Sequence, residues 1–575
     1  MFNKVTIKNF RNFHKIEVEL TNKNIVIGMN DVGKSNFLHA LRLIFDKKVR
    51  FEEICDTDFH QKNTSVPISI IITLDISDES KEDVQKILAC VKEARTQEDS
   101  KLFYIKLEIE SNLSNGYLKH YTWGDDLENL KEIKTKGLGY LLLDDVFNVI
   151  YIPSHIETAK IFNDIRRNIL QEIEYSANDE NIKSEIFEGL KGVNDNIEKL
   201  SSVKNIAEQI NKNLEIFDES YKVKITSQSV VDDLHKQLKI FTYEKDEDIL
   251  FPASGDGRQK KIMYAMLHYF LQKETRKIPL LILEEPENHL YLTAQIDLSD
   301  TLFSSTDIKY IFMSSHSAQL LYYINSDCSL IRLYRSKKIS GNNNTSSNSS
   351  KISEEYHQLK RIYVEDMSKG YFADCVLLVE GYSEKLLCDT ILKKVLPQNF
   401  YQKIYVLPVL GTNFKPYRDL LLNLGIDVIL RTDNDIYKND IYGLKRCYKI
   451  LGKNFTKIFP HEIKGIKSEG EVSLNIKKIK LNEIYRRIIS FFKSKKIYLA
   501  EIDLENDLKN ALDESGIVSC NFDGEEISNA ELITRLQDKK WHNMYIFLRD
   551  NSDKYKNIFN DKRFEFLKEV ESCLN

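Results

Sequence analysis

The sequence lacks the features that would place it in several large classes of protein. Its eight cysteines are scattered over 575 residues, with no C-x-x-C pair and no histidine cluster at zinc spacing. That excludes a disulfide framework or a zinc finger and predicts reduced, packing thiols. No apolar run approaches the ~20 residues of a membrane span, and the opening "MFNKVTIKNF" has no signal-peptide apolar region. The expectation is a cytoplasmic chain with no membrane partner. With 9 prolines, 42% hydrophobic and 29% charged residues, it does not have the composition of a disordered chain either. Excess positive charge is also missing. A formal net charge of −5 excludes a protein that coats nucleic acid with its whole surface, so any DNA contact has to be local. Residues 441–500 supply a local candidate, with 15 Lys and Arg against 4 Glu and no Asp. Such a run, taken alone, reads equally as a solvated helix face.

At roughly 100–200 residues per domain the chain should hold three or four units. Residues 4–27 alternate apolar and polar in "KVTIKNF" and "KIEVEL" and then run apolar in "NIVIG", the strand-strand-strand-loop opening of an α/β ATPase-like unit. From about Ile156 to Tyr221 the period becomes helical, with Ile161, Ile165, Ile169 and Ile173 four apart and Ile186, Leu190, Val193, Ile197 and Leu200 stepping by four and three. This predicts long amphipathic helices in an inserted arm. The polar tract "SKKISGNNNTSSNSSK" (Ser336–Lys351) reads as a flexible loop or linker. Beyond it, "DCVLLVEG" and "GIDVILRTDND" read as buried strands ending in acids, where open α/β sheets place their ligands.

Two constellations carry chemistry. "GMNDVGKS" (Gly28–Ser35) fits G-x-x-x-x-G-K-[ST] between an apolar strand and a helical run. In it Asn30 and Gly33 belong to the loop that wraps phosphates, Lys34 reaches the outer phosphates of ATP, and Ser35 offers a hydroxyl to Mg²⁺. The second acid-bearing strand of such a site is "IPLLILEEPENHL", with Glu284 to hold Mg²⁺ through water and Glu285 to orient or deprotonate the attacking water. Glu284 stands where this motif more often has Asp. The other constellation comprises Glu380 and Glu384, four apart across Gly381, and Asp433 and Asp435, alternating in "LRTDND". Hard oxygen ligands at strand ends suit Mg²⁺ or Mn²⁺ and phosphodiester chemistry, although strand-end acids are often only solvated.

The order of "GMNDVGKS", the Ser-Gly-x-Gly turn in "ASGDGRQKK", "EEPE" and the Ser315-His316-Ser317 strand end resembles ABC-type ATPase heads of the RecF, SMC and Rad50 kind. That resemblance implies Ser254, Gly255 and Gly257 closing a nucleotide site in trans, His316 sensing phosphate in cis, and hence a homodimer of heads; Gln61 is a candidate for the glutamine loop. "VEG" followed by D-x-D resembles the Toprim domain, and Tyr437 in place of a third acid points to the OLD family, which joins an ABC head to a carboxy-terminal Toprim nuclease. Within it the chain is similar to the nuclease subunits of Gabija anti-phage systems through "SGDGR", "EEPE", "TDND" and "EIDLENDL". The resemblance implies Asp503 and Glu505 as further metal ligands and a catalytic lysine at Lys540, with Lys539 the alternative. It also implies a homo-oligomer as large as a tetramer, double-stranded DNA as substrate and a UvrD-like helicase partner. The implied α/β organisation is an ABC head in residues 1–155 and 236–335, a helical dimerisation insertion at 156–235, a linker at 336–370 and a Toprim domain at 371–575. An ATP-driven SMC-like clamp that binds DNA without cutting it is the competing expectation.

Overall fold

The computed structural model describes residues 1–154, 177–208, 241–242, 251–252, 276–335, 344–354, 367–434, 442–452 and 488–574, apart from isolated positions within these spans. It divides into two compact units, one of residues 1–151, 276–288 and 292–575, the other of residues 152–275 and 289–291. In the second, Ala177–Lys199 is a helix that exposes Ile182, Ile186, Phe187 and Val193. Ile161, Ile165, Ile169 and Ile173 lie outside the described residues.

The first unit opens with an antiparallel sheet in the order Phe13–Glu19, Phe2–Phe10, Ile68–Asp75, Leu102–Asn112, Gly116–Gly124 and Lys131–Glu132. Val5 and Ile7 on Phe2–Phe10 pair with Ile72 and Ile70 on Ile68–Asp75, so alternation turns one apolar row inward. Beside it lies a second sheet, ordered Thr345–Lys351, Cys328–Arg335, Lys23–Ile27, Tyr310–Ser314, Ile278–Glu284 and Phe147–Ile152. Its central strands run parallel and are buried on both faces, which explains their near-continuous Ile, Leu, Val and Phe content. Helix Lys34–Phe45 packs on it through Phe37, Leu38, Leu41, Ile44 and Phe45, and Phe2 joins the layers by edge contacts to Phe45 and Phe312.

One expectation fails here. Thr345–Lys351, the second half of the polar tract read as a flexible loop or linker, is a strand paired antiparallel with Ser329–Arg335. Its hydroxyls and amide are bonded to neighbours that local composition does not reveal. Thr345 Oγ1 donates to Val32 O at 3.0 Å, Ser349 Oγ accepts from Glu19 N at 3.2 Å, and Asn348 Oδ1 accepts from the Tyr334 hydroxyl at 2.6 Å. An edge strand needs backbone pairing on one side only, and tertiary partners override weak β propensity.

The carboxy-terminal part is built on four parallel strands ordered Ile404–Pro408, Cys375–Val379, Asp427–Thr432 and Ile497–Leu499. Helices Tyr382–Val395, Leu504–Glu514, Asn529–Asp538 and Lys540–Asp550 share a core with them, drawing on Leu387, Ile391, Leu508, Leu532 and Phe547. All four strands end on the same side, which brings Glu380, Thr432 and the turn before Leu504 together.

Candidate functional site

The loop Gly28–Ser35 follows the fully buried strand Lys23–Ile27 and feeds helix Lys34–Phe45, as the spacing predicts. Gly28 (φ +151°) and Gly33 (φ +96°) allow close backbone approach: a Cβ would meet Leu333 O at 2.4 Å and the Asn12 side-chain amide at 2.1 Å. Asn12, from "FRNF", props the loop by donating to Val32 O at 2.8 Å and Thr345 Oγ1 at 2.6 Å. Sequence reasoning missed both Asn12 and Thr345, whose roles depend on strands far apart in the chain. Lys34 is buried and its Nζ donates to Gly28 O and Met29 O, whereas Asn30 and Ser35 are exposed at the loop surface.

Glu284 ends strand Ile278–Glu284, and its charge helps burial push the Tyr151 phenol well above its usual range. Glu285 follows in a left-handed conformation (φ +43°), strain of the kind found at functional sites. Its backbone N–H donates to Ser314 O at 3.0 Å, and its Oε1 lies 3.0 Å from His316 Nε2. Burial and the nearby Lys34 ammonium hold the His316 pKa down, so the imidazole is neutral and faces Glu285 as a polar partner. Lys34, Glu285 and His316 are thus brought together. A fourth residue, Glu287 of "EEPE", was not anticipated. It is buried, and its Oε1 accepts from His316 N at 2.7 Å, Ser315 Oγ at 2.9 Å and Ser317 N at 3.1 Å, while Oε2 has no partner among the described residues. Burial raises its pKa. Gln61 sits in a left-handed turn (φ +54°) next to buried His60. Ser254, Gly255 and Gly257 lie outside the described residues.

At the ends of the carboxy-terminal strands, Glu380 Oε1 accepts from the Thr432 hydroxyl, from Asp433 N at 2.8 Å and from Arg446 Nη1. Arg446 also donates to Thr432 Oγ1 at 2.7 Å and Asp433 O at 3.1 Å, clamping two strand ends. Asp433 Oδ1 lies 3.1 Å from Nη1 of the fully buried Arg431, whose Nη2 is 3.3 Å from Asp507 Oδ2. Glu384, in the first turn of Tyr382–Val395, is buried. Asp435 lies outside the described residues.

Electrostatics shows how tightly these acids gather. Burial pushes the Asp433 carboxyl up to about 8 against the opposing Arg431 charge, and Glu384, Glu380 and Glu505 add to the shift. Glu505 is raised by burial and by Asp503 and Glu384, with Lys540 opposing. Asp503 also caps helix Leu504–Glu514, its Oδ1 accepting from Asn506 N at 2.8 Å. Arg431, Arg446 and Asp507 escaped sequence reasoning. Asp507 stands in plain view in "EIDLENDL", four residues after Asp503, whereas the arginines reveal themselves only through tertiary pairing. Among the described residues no three acids or histidines stand at the spacing of a formed metal site, since Glu380 and Asp433 face arginines. The donor set nevertheless fits a hard divalent cation: it is all oxygen and anionic, with a carboxyl whose raised pKa a dication would reverse.

Residues 1–321 match the AAA ATPase domain and residues 371–435 the overcoming lysogenization defect protein-like TOPRIM domain. Among solved structures the chain is similar to an SMC head bound to the C-winged helix domain of ScpA (14% identity, TM-score 0.37, 62% of this chain and 99% of that one). It is also similar to the SMC head domain from Thermotoga maritima (10% identity, TM-score 0.32, 61% and 99%). The endonuclease GajA of Bacillus cereus (strain VD045) is 35% identical over 588 residues, covering 99% of both chains. With an ATPase domain, a TOPRIM domain and that end-to-end identity, the chain belongs to the OLD-like family of nucleases that includes endonuclease GajA.

Proposed function

We propose that the chain is a divalent-metal-dependent DNA endonuclease of anti-phage defence, regulated by ATP in its amino-terminal ATPase domain. The observation that carries this is the gathering of carboxylates at the strand ends, where Glu380 Oε1 accepts from Asp433 N at 2.8 Å and Glu384 and Glu505 lie near enough to raise the Asp433 pKa. Mg²⁺ or Mn²⁺ bound by Glu380, Glu384, Asp433 and Glu505, with Asp435 and Asp503 as further candidates, would supply activation of water and stabilisation of the leaving oxygen. Glu380 at the strand end would act as base toward the attacking water, its carboxylate held in place by Thr432 and Arg446. Lys540 brings positive charge toward a scissile phosphate. The basic stretch 441–500 would draw in double-stranded DNA by phosphate contacts.

In the head, Lys34 and Ser35 would hold ATP and its Mg²⁺, with Glu284, Glu285 and His316 completing the site and Ser254, Gly255 and Gly257 of a second copy closing it. The exposed apolar face of Ala177–Lys199 supports the helical insertion as the place where copies join, as a dimer of heads or a tetramer, and a UvrD-like helicase is the further partner. An SMC-like clamp without nuclease activity would share the head but has no use for four gathered carboxylates. Nicking of supercoiled plasmid decides between the two: cutting should need Mg²⁺ or Mn²⁺ and disappear in Glu380→Ala and Asp433→Ala. Comparing wild type with Lys34→Ala, with and without ATP, tests regulation, and cutting that ignores ATP in both would sink that part of the proposal.

A further inference from the structure

Arg332 lies on strand Cys328–Arg335, where its backbone pairs with Ile27, the residue just before the phosphate loop. The next carbonyl, Leu333 O, packs so closely under Gly28 that a Cβ there would sit 2.4 Å away, so the loop rests directly on this strand. The Arg332 side chain is buried and leaves the ATPase domain altogether. Its Nη1 donates to Gly425 O at 3.1 Å, and its Nη2 donates to Ala373 O at 3.0 Å and Asp374 Oδ1 at 2.9 Å.

These acceptors occupy the starting points of the two strands that deliver the acids. Ala373 and Asp374 immediately precede Cys375–Val379, which leads into Glu380; Gly425 lies two residues before Asp427–Thr432, which leads into Asp433. The two starting points are themselves joined by Asp427 N donating to Asp374 O at 3.1 Å. Asn348, held by the Tyr334 hydroxyl, braces Gly425 (φ +68°), where a Cβ would come within 2.9 Å of its Oδ1. One guanidinium therefore ties the strand beside the phosphate loop to both acid-bearing strands, each a short rigid element in a packed parallel sheet.

We infer that Arg332 is the positioning residue through which nucleotide at Gly28–Ser35 shifts Glu380 and Asp433. This rests on the proposed reading of that loop as an ATP site. Coupling of this kind needs a contiguous element that both sites can bias, and the strand Cys328–Arg335 with its arginine supplies one.

The test is hydrogen exchange of the full chain with and without ATP, in wild type, Arg332→Lys and Asp374→Ala, alongside plasmid nicking. A lysine keeps the charge but cannot reach three acceptors as a planar fork does. ATP should protect the amides of residues 30–37 in all three proteins and alter exchange at 375–380 and 427–433 in wild type. In Arg332→Lys that distant response, and the effect of ATP on nicking, should fall at least fivefold. Asp374→Ala, which removes one bond at a half-buried site, should weaken the response by a smaller factor and decides the matter if Arg332→Lys does not fold. Distant responses of wild-type size in the variants would overturn the inference, as would protection at residues 30–37 with no distant response in wild type. Absence of protection at residues 30–37 in wild type would instead overturn the nucleotide reading, and this inference with it.

Discussion

Arg431, fully buried, and Asp433, two residues further on and partly exposed, meet at one strand end with Nη1 3.1 Å from Oδ1. The same guanidinium reaches Asp507 on helix Leu504–Glu514, 3.3 Å from its Oδ2. Burial works against the arginine's charge, but Asp433, Asp507 and Glu384 outweigh it and keep the group protonated. Replacing Arg431 by Met would leave buried Asp507 and partly exposed Asp433 without their shared cation, a loss of up to about 3–5 kcal/mol by analogy with broken buried pairs. Urea unfolding followed in the carboxy-terminal domain should show it. A change under about 1 kcal/mol would mean that the acids find water or other partners.

Arg446 presents the opposite balance, because it competes with any cation for Glu380 Oε1 while holding that carboxylate against Thr432. Arg446→Met should cut nicking at saturating Mg²⁺ by roughly 10–100-fold through loss of orientation, the usual scale for residues that steer metal ligands. The Mg²⁺ concentration giving half-maximal cutting should not rise, since the removed charge repelled the cation. A metal titration of both proteins separates the two effects, and unchanged cutting at saturation would refute the orienting role.

Glu287 gathers Ser315, His316 and Ser317 onto one oxygen. In Glu287→Ala those donors lose their acceptor and His316 loses the support that keeps it 3.0 Å from Glu285. If Lys34 and the loop backbone hold ATP as proposed, ATP hydrolysis should drop about tenfold or more while ATP binding stays within a few fold. Glu287→Gln keeps an oxygen acceptor and should be the milder change. Equal losses of binding and hydrolysis would mean that Glu287 supports the whole pocket instead of the histidine.

Both domains were legible in the sequence because their marker residues are local. A phosphate loop needs its glycines and lysine within eight residues, and an acid-ended parallel strand shows as an apolar run stopped by Glu380 or by Asp433. What escaped was held together over long sequence separations. Asn12 and Thr345 meet under the loop from opposite ends of the head, 333 residues apart. Arg446 lies in a basic stretch whose charge count suggests DNA, yet its guanidinium faces Glu380. The tract around Thr345 looked like a linker because serine and asparagine have weak strand propensity, and only its pairing with Cys328–Arg335 makes it a strand.

His39 supplies the clearest pH dependence away from the carboxylates. It stacks on Phe10 with ring centroids 6.2 Å apart, and burial, aided by the Arg11 and Arg42 charges, lowers its pKa to about 4. Glu52 approaches within 3.6 Å but is half exposed and does not offset this. The folded state therefore binds the proton less readily than the unfolded chain, whose histidine titrates near 6.5. Above that pH both states are neutral and His39 costs nothing; below it the unfolded state is protonated first, and stability is lost progressively until the pH reaches the folded value. By pH 5 the loss should be about 2 kcal/mol. Hydrogen exchange of helix Lys34–Phe45, corrected for the intrinsic pH dependence of exchange, should show this loss in wild type and a smaller one in His39→Gln. Equal losses in the two proteins would assign the acid sensitivity of the head to other groups.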